Sequence, residues 1–488
     1  MFRTVGDQVS LWEAVLPAEL LKLPDELARV DGLLDDPVFF APFVAFFDPR
    51  IGRPSTPMET YLRLMFLKFR YRLGYESLCR EVSDSITWRR FCRIPLDGSV
   101  PHPTTLMMLT TRCGSAAVGG LKEALLAKAA EAKLLRTHRI RADTTVVSAN
   151  VAYPTDSGLL GKAVGRIAAT GERIRAAGGA VRTRLRDRSR AAGKRAHAIA
   201  SKLRARATLG REQATAAVLK STGELAELAE TAARDAGRLL VNAQRAVRRA
   251  KARAAELRAR GEHDAAAGRR RGRLVRAVND LAELLAATRQ IVAQTRQRVA
   301  GHTPDGATRR VSLHDGDARP IAKGRLGRPV AKGRLGRPVE FGHKAQIIDN
   351  DDGIVLDHSV EQGNPPDAPQ LAPAVKRVIK CTGRTPATVT TDRGYGEANV
   401  DRELTDLGVK NVVIPRKGKP SQARRAEEHR PAFRRTIKWR TGSEGRISTL
   451  KRGYGWDRTR IDDSEGTRIW TGHGVLAHNL VKISASAA

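Results

Sequence analysis

The sequence predicts an α/β fold: a sheet-bearing domain split by a long basic helical insertion and preceded by an all-helical segment. Three observations predict it. After residue 339, short β-branched runs alternate with helical patterns, the order that α/β domains require. A lone strand-like run, Arg139 to Val147, stands far upstream of them. Between the two lies a stretch rich in alanine and arginine and almost without aromatics. A chain of 488 residues also exceeds one ordinary core, so two or three domains are expected.

Residues 1–135 read as a helical N-terminal domain that binds DNA. Leu62, Met65, Phe66 and Phe69 form one helical stripe, Gly74 breaks it, and Leu78, Val82 and Ile86 resume it before Pro95. A helix-turn-helix element over Phe66 to Phe91 fits this pattern, and so does plain helix packing.

Residues 156–312 read as the basic helical insertion. Between 161 and 300 there are 33 Lys and Arg against 12 Asp and Glu, a net of +21 within a whole-chain charge of +35. Leu274, Val278, Leu281, Leu285 and Val292 are spaced as a coiled-coil-like seam. Two or three long helices in an antiparallel hairpin are expected. Charge runs are usually solvated faces, but i,i+4 pairing cannot absorb so one-sided an excess, and phosphate contact is the better reading. The charge as a whole calls for a polyanion, and nucleic acid is the common one. No basic amphipathic anchor argues for a membrane surface.

Residues 313–338 read as a flexible basic linker, with the nonapeptide Ala322 to Val330 repeated over Ala331 to Val339. From Val339 the strands begin, the first two joined by a turn over Asp349 to Gly353. Helices follow over Asp367 to Lys380 and Ala398 to Leu407, with strands at Ala387 to Thr391 and Val409 to Ile414. The sheet-bearing domain thus takes residues 136–155 and 339–488. Four scattered cysteines lack zinc-site spacing and read as reduced thiols. The longest apolar run, Pro37 to Phe47, is too short to span a bilayer. No signal peptide is visible, so a cytoplasmic, nucleoid-associated protein is expected.

Three carboxylates stand where the predicted elements would bring them together. Asp143 lies in mid-strand, Asp392 at the carboxyl end of a strand, and Glu444 in a helical pattern. A lone aspartate at a strand end more often caps the next helix. Arg440, Glu444 and Lys451, at i, i+4 and i+11, fall within roughly 40° of one helix face. A carboxylate between two cations suits a metal-bound phosphodiester, while an exposed i,i+4 ion pair explains the first two residues as well. Asp156, after Pro154, competes with Asp143 as first ligand; the strand position favours Asp143.

These stretches, with Thr391-Asp392-Arg393-Gly394-Tyr395, Trp439-Arg440 to Tyr454-Gly455, Gly474 to Leu480, and Gly52-Arg-Pro54 to Arg93, resemble the insertion-sequence transposases of the DDE class (the ISNCY-like type). The likeness spans nearly the whole chain, and its most specific part is the Arg-x3-Glu-x6-Lys spacing. The tyrosine that often stands three residues before the arginine is Ile437 here. The resemblance implies a ribonuclease-H-like catalytic domain in which Asp143, Asp392 and Glu444 hold two divalent ions. Magnesium fits that ligand set. It implies that Arg440 and Lys451 contact phosphates, and that water, then a freed 3′-hydroxyl, attacks in turn. The implied partners are the element's terminal repeats, target DNA and a second subunit in a homodimer on DNA. A basic DNA-binding protein without catalysis, or a nuclease without strand transfer, are the competing readings.

Overall fold

In the computed structural model, which describes residues 1–3, 16–52, 54–204, 211–262, 264–322 and 339–486, the chain divides into two units. One comprises residues 1–150 and 321–488, the other 151–320. The first begins with helices Asp25–Leu34 (α1), Met58–Arg70 (α2), Tyr75–Asp84 (α3), Ile86–Phe91 (α4) and Pro103–Glu131 (α5). The predicted stripe lies on α2, yet α2 is buried on all sides from Met58 to Phe69. A helix so enclosed must neutralise its own charges. Arg63 does so against α1, with Asp31 and Asp35 each at 2.6 Å.

The helix after the break, α3, buries Leu78, Cys79 and Val82 and turns Glu76, Arg80, Glu81 and Asp84 outward. That exposed face is net negative, so it repels phosphate. Of the two readings of Phe66 to Phe91, these side chains favour helix packing. The helices also have no core of their own. Leu62, Leu121, Ile140, Ile347, Val389 and Leu480 belong to one continuous apolar cluster, shared with the sheet.

The first strand, Arg139–Ser148 (β1), carries Asp143 in its middle. The second unit then follows, with helices Asp156–Ala176 (α6), Ser189–Arg204 (α7), Arg211–Ala259 (α8) and Ala265–Val299 (α9). Among the described residues the unit has four helices, of which α8 and α9 are the longest. α8 and α9 do form a long hairpin. All five seam residues on α9 are buried, against alanines of α8 such as Ala229, Ala232 and Ala236. Alanine knobs let the two backbones come close, which leaves arginine for the outer faces.

The linker expected over 313–338 is ordered at its start. Asp315 accepts hydrogen bonds from the Asp317 and Ala318 amides, and Arg319–Ala322 forms a short strand, β2. Residues 323–338 of the duplicated nonapeptide lie outside the described residues.

The remaining strands are Val339–Asp349 (β3), Val355–Glu361 (β4), Thr388–Thr390 (β5) and Asn411–Val413 (β6). Their order is β2-β3-β1-β5-β6, with β4 paired to β3. β1 lies antiparallel to β3 and parallel to β5, β4 is antiparallel to β3, and β6 is parallel to β5. The sheet is therefore mixed. It is flanked by Ala368–Thr382 (α10) and Ala398–Asp406 (α11), and helices Gln422–His429 (α12), Pro431–Arg440 (α13), Gly442–Gly453 (α14) and Asp463–Ser486 (α15) complete the unit. Among the described residues no helix is long and apolar enough to cross a membrane. All four cysteines are free thiols.

Candidate active site

Two neighbouring parallel strands and one helix pair bring the predicted residues together. Asp143 sits opposite Ile347 in the β1–β3 ladder. Its carboxylate accepts a hydrogen bond from the Thr144 amide at 2.8 Å and one from the Arg440 guanidinium at 3.2 Å. Asp392 stands two residues beyond β5 and also caps the next element: its Oδ1 accepts from the Gly394 amide at 2.9 Å. A Cβ at Gly394 would press on both Asp392 Oδ1 and Asp367 Oδ2, so only glycine leaves room for the two carboxylates there.

Arg440 and Glu444 form the i,i+4 pair anticipated from their spacing, at 3.7 Å, with the Glu444 side chain 66% exposed. They are not on one unbroken helix. α13 ends at Arg440 and α14 begins at Gly442, with Thr441 between them. At this junction the Arg141 guanidinium lies where a Cβ on residue 442 would be, which requires glycine there, and it donates to the Trp439 carbonyl. Lys451 is on α14, about two turns beyond Glu444. The structure therefore places Arg440 against Asp143 and Glu444, carboxylates rather than phosphates. Asp156, the rival first ligand, begins α6, where Arg298 stands 3.3 Å away and Gln294 donates to it. That carboxylate is committed to the helical unit.

The electrostatics single out the aspartates. Burial pushes the Asp143 carboxyl up to about 6; Arg440 opposes this, and the Asp392 and Glu444 charges add to it. Burial likewise raises Asp392, against the Gly394 amide and Arg440. Arg440 thus leaves the two buried aspartates undercompensated. Among the described residues no three His, Cys, Asp or Glu side chains stand in metal-holding geometry. The reason is visible: the positive group between Asp143 and Glu444 is Arg440 itself. The donor chemistry nevertheless fits a hard divalent cation, since every candidate is a carboxylate oxygen and two of them carry uncompensated charge.

A supporting layer escaped the sequence reading. Arg141, two residues from Asp143 on the same strand face, makes a bidentate pair with the fully buried Asp349, at 2.9 and 2.8 Å. Arg141 also donates to the Trp439 carbonyl at 2.7 Å, and Ser443 and Arg446 of α14 reach the same Asp349. This network ties the junction of α13 and α14, and with it Arg440 and Glu444, to the central strands. Asp349 had read as a turn residue, but β3 runs one residue into that turn. Its signal in the sequence was the charge repeat Arg139, Arg141, Asp143, which demands partners on any buried strand. Asp367 had read as the start of a helix. Its side chain caps nothing; it pairs instead with the buried Lys344 of β3 at 2.7 Å and raises Asp392 through its charge.

Two protein-family models match the chain. One, described as "Transposase domain (DUF772)", matches residues 17–112. The other, described as "Transposase DDE domain", matches residues 307–480 and so includes Asp392, Arg440, Glu444 and Lys451. Asp143 and β1 lie outside both matches. No curated protein and no solved structure matches.

Proposed function

The chain is a DDE transposase, a metal-dependent enzyme that acts on DNA, and on that premise we propose that Asp143, Asp392 and Glu444 are its catalytic carboxylates. The observation that carries this reading is the single charge cluster in which Arg440 touches Asp143 and Glu444 and the Asp392 charge acts on Asp143. The strand order also supports it. A β1 that is antiparallel to β3 and parallel to β5 is the arrangement expected of a ribonuclease-H-like domain, whose site would lie on the two central parallel strands.

In this reading the three carboxylates would hold two divalent ions, magnesium by the donor set. When bound, such ions activate the attacking oxygen and stabilise the leaving one in an in-line displacement. The chain's own groups do the rest. β1 fixes the direction of Asp143, and the Gly394 amide fixes Asp392. The Arg141–Asp349 pair holds α13 and α14 so that Glu444, exposed and on the first turn of α14, can close on the strands. Arg440 exchanges its carboxylate partners for a phosphate of the bound strand, and Lys451 meets a further phosphate two turns on.

Cleavage at the element end and strand transfer into target DNA use this one site in succession. The helical unit, residues 151–320, adds phosphate contacts that hold the element ends, within a homodimer on DNA. The reading is tested with labelled end DNA and magnesium, followed by pre-cut ends and a target plasmid. Cleavage and joining are both expected. Cleavage without joining would make the chain a nuclease, and binding without either would leave only the architectural role.

A further inference from the structure

A second cationic feature lies away from the carboxylates. A cavity of about 550 Å³ opens between the end of α2, the start of α3 and the loop after α14. Lys68 is at its wall, 2% exposed. The Nζ stands 4.2, 4.6 and 4.8 Å from the rings of Trp470, Tyr75 and Phe69, and its one hydrogen bond goes to the Leu73 carbonyl at 3.2 Å. Among the described residues no carboxylate pairs with it. At the rim, Arg458 and Arg460 are exposed and form no ion pair among the described residues. Arg72 is committed to Asp457 at 3.0 Å, and Asp462 also lines the cavity. Three cations without a carboxylate partner therefore share one cavity.

A buried ammonium without a carboxylate is costly, and a methionine of similar length would pack there more favourably. Aromatic faces and one carbonyl offset part of that cost, and an anion would offset the remainder. We propose that this cavity takes one backbone phosphate of the DNA bound at the carboxylate site, held by Lys68 from below and by Arg458 and Arg460 from the rim. The burial of Lys68 and the nearby Arg460 charge lower its pKa to about 7, so it gains most from a resident anion.

The cavity is wired to the site. Arg458 bridges Ser148, and the Thr459 amide donates to the Ser148 carbonyl at 2.9 Å. Five residues of strand separate Ser148 from Asp143, about 17 Å. Glu444 is separated from the end of α14 by nine residues, about 14 Å. The phosphate held would lie four or five base pairs from the cut, at ~3.4 Å of rise per base pair. The wall is thus hydrogen-bonded to the end of the strand that carries Asp143, so the cavity would set the register of the bound DNA.

The inference rests on the chain's being a DNA-cleaving enzyme, and its test separates the two. Binding of an end-bearing duplex is measured from 50 to 300 mM salt, with a chelator present to prevent cutting, for the wild type, Lys68→Met, Arg458→Gln, Arg460→Gln and the triple variant. Each variant should lower the slope of log K against log salt by about 0.9, one phosphate. The triple variant should lose no more slope than a single one, while its affinity falls about tenfold; Arg460→Lys should keep the wild-type slope. Arg458 and Arg460 are on the surface, so their variants remain informative if Lys68→Met does not fold. Unchanged slopes in the rim variants, with wild-type binding intact, would overturn the cavity assignment alone. A drop that grows with each cation removed would mean diffuse attraction and overturn it too. Inorganic phosphate perturbing Trp470 fluorescence, with unchanged DNA slopes, would assign the cavity to free phosphate and overturn the DNA occupant. A wild type that does not bind the duplex would count against the DNA-cleaving reading as well.

Discussion

The two units use the same residue types for opposite ends. In the sheet unit several cations are committed to buried or half-buried carboxylates: Arg63 to Asp31 and Asp35, Arg141 to Asp349, and Lys122 with Arg377 to Asp357. In the helical unit a few arginines are paired near the base of the hairpin, as Arg296 is with Glu230 and Arg173 with Asp280. Beyond them, over residues 244–273, eleven Lys and Arg face three Asp and Glu, and none of the described residues is buried or ion-paired. The difference teaches that total charge says little here. Buried pairs place chemistry, whereas unpaired surface arginines remain available to a polyanion.

Asp392→Ala should lower cleavage of end DNA on the order of a thousandfold or more, since a ligand of the reacting centre is lost. Its affinity for the same DNA in chelator should change less than about threefold; a parallel fall in binding would move Asp392 from chemistry to DNA contact. Arg141→Met should destabilise the protein by about 3–5 kcal/mol in a denaturant melt, because Asp349 stays buried without its main partner. A loss under about 1 kcal/mol would show that Arg446 and Ser443 suffice to hold that carboxylate.

The sheet unit should also be acid-sensitive in a window its surface charges do not set. His358 and His473 are held neutral by burial, with pKa lowered to about 3, and His478 likewise to about 4, partly offset by the Gly353 carbonyl. Below the ordinary value of 6.5 the unfolded chain takes up protons at these three sites and the folded chain does not. Stability is therefore intact above 6.5 and is lost as pH falls from there toward 4, with a slope of up to about 4 kcal/mol per pH unit from three protons. Melting temperatures measured between pH 7 and 5 check the sign; a flat profile would mean that the rings are hydrated.

The smallest expected effect falls on the other unit. Changing Arg269, Arg270, Arg271 and Arg273 to Gln should leave melting within about 0.5 kcal/mol, because they have no ion-paired partner to lose. The same variant should flatten the salt dependence of DNA binding by about 0.9 for each phosphate contact removed. If melting falls sharply instead, these arginines build the hairpin and do not serve DNA.

Much of this contrast was legible in the chain. The seam from Leu274 to Val292 and the mid-strand place of Asp143 follow from periodicity, because one buried face is enough to impose it. The junction at Thr441 was not legible, since the group packed against it at Gly442 is Arg141, some 300 positions away in sequence. Asp349 and Asp367 were missed for a related reason. Each sits at the boundary of a strand or helix, where local chemistry gives turn and cap readings that a distant partner overrides. The stripe of Leu62 to Phe69 announced one buried face, and α2 proved to be enclosed on every side because Arg63 and Lys68 find partners inside.

The central claim is that Asp143, Asp392 and Glu444 share one metal site although Glu444 is turned outward and Arg440 stands among them. Ferrous iron in place of magnesium, with peroxide and ascorbate, cuts the polypeptide backbone near the bound ion, and the fragments report which segments surround it. The account predicts cuts grouped near residues 143, 392 and 444 when DNA is present, all three lost together in Asp143→Ala. Cuts near 143 and 392 that never include 444, or cuts that survive Asp143→Ala, would contradict it.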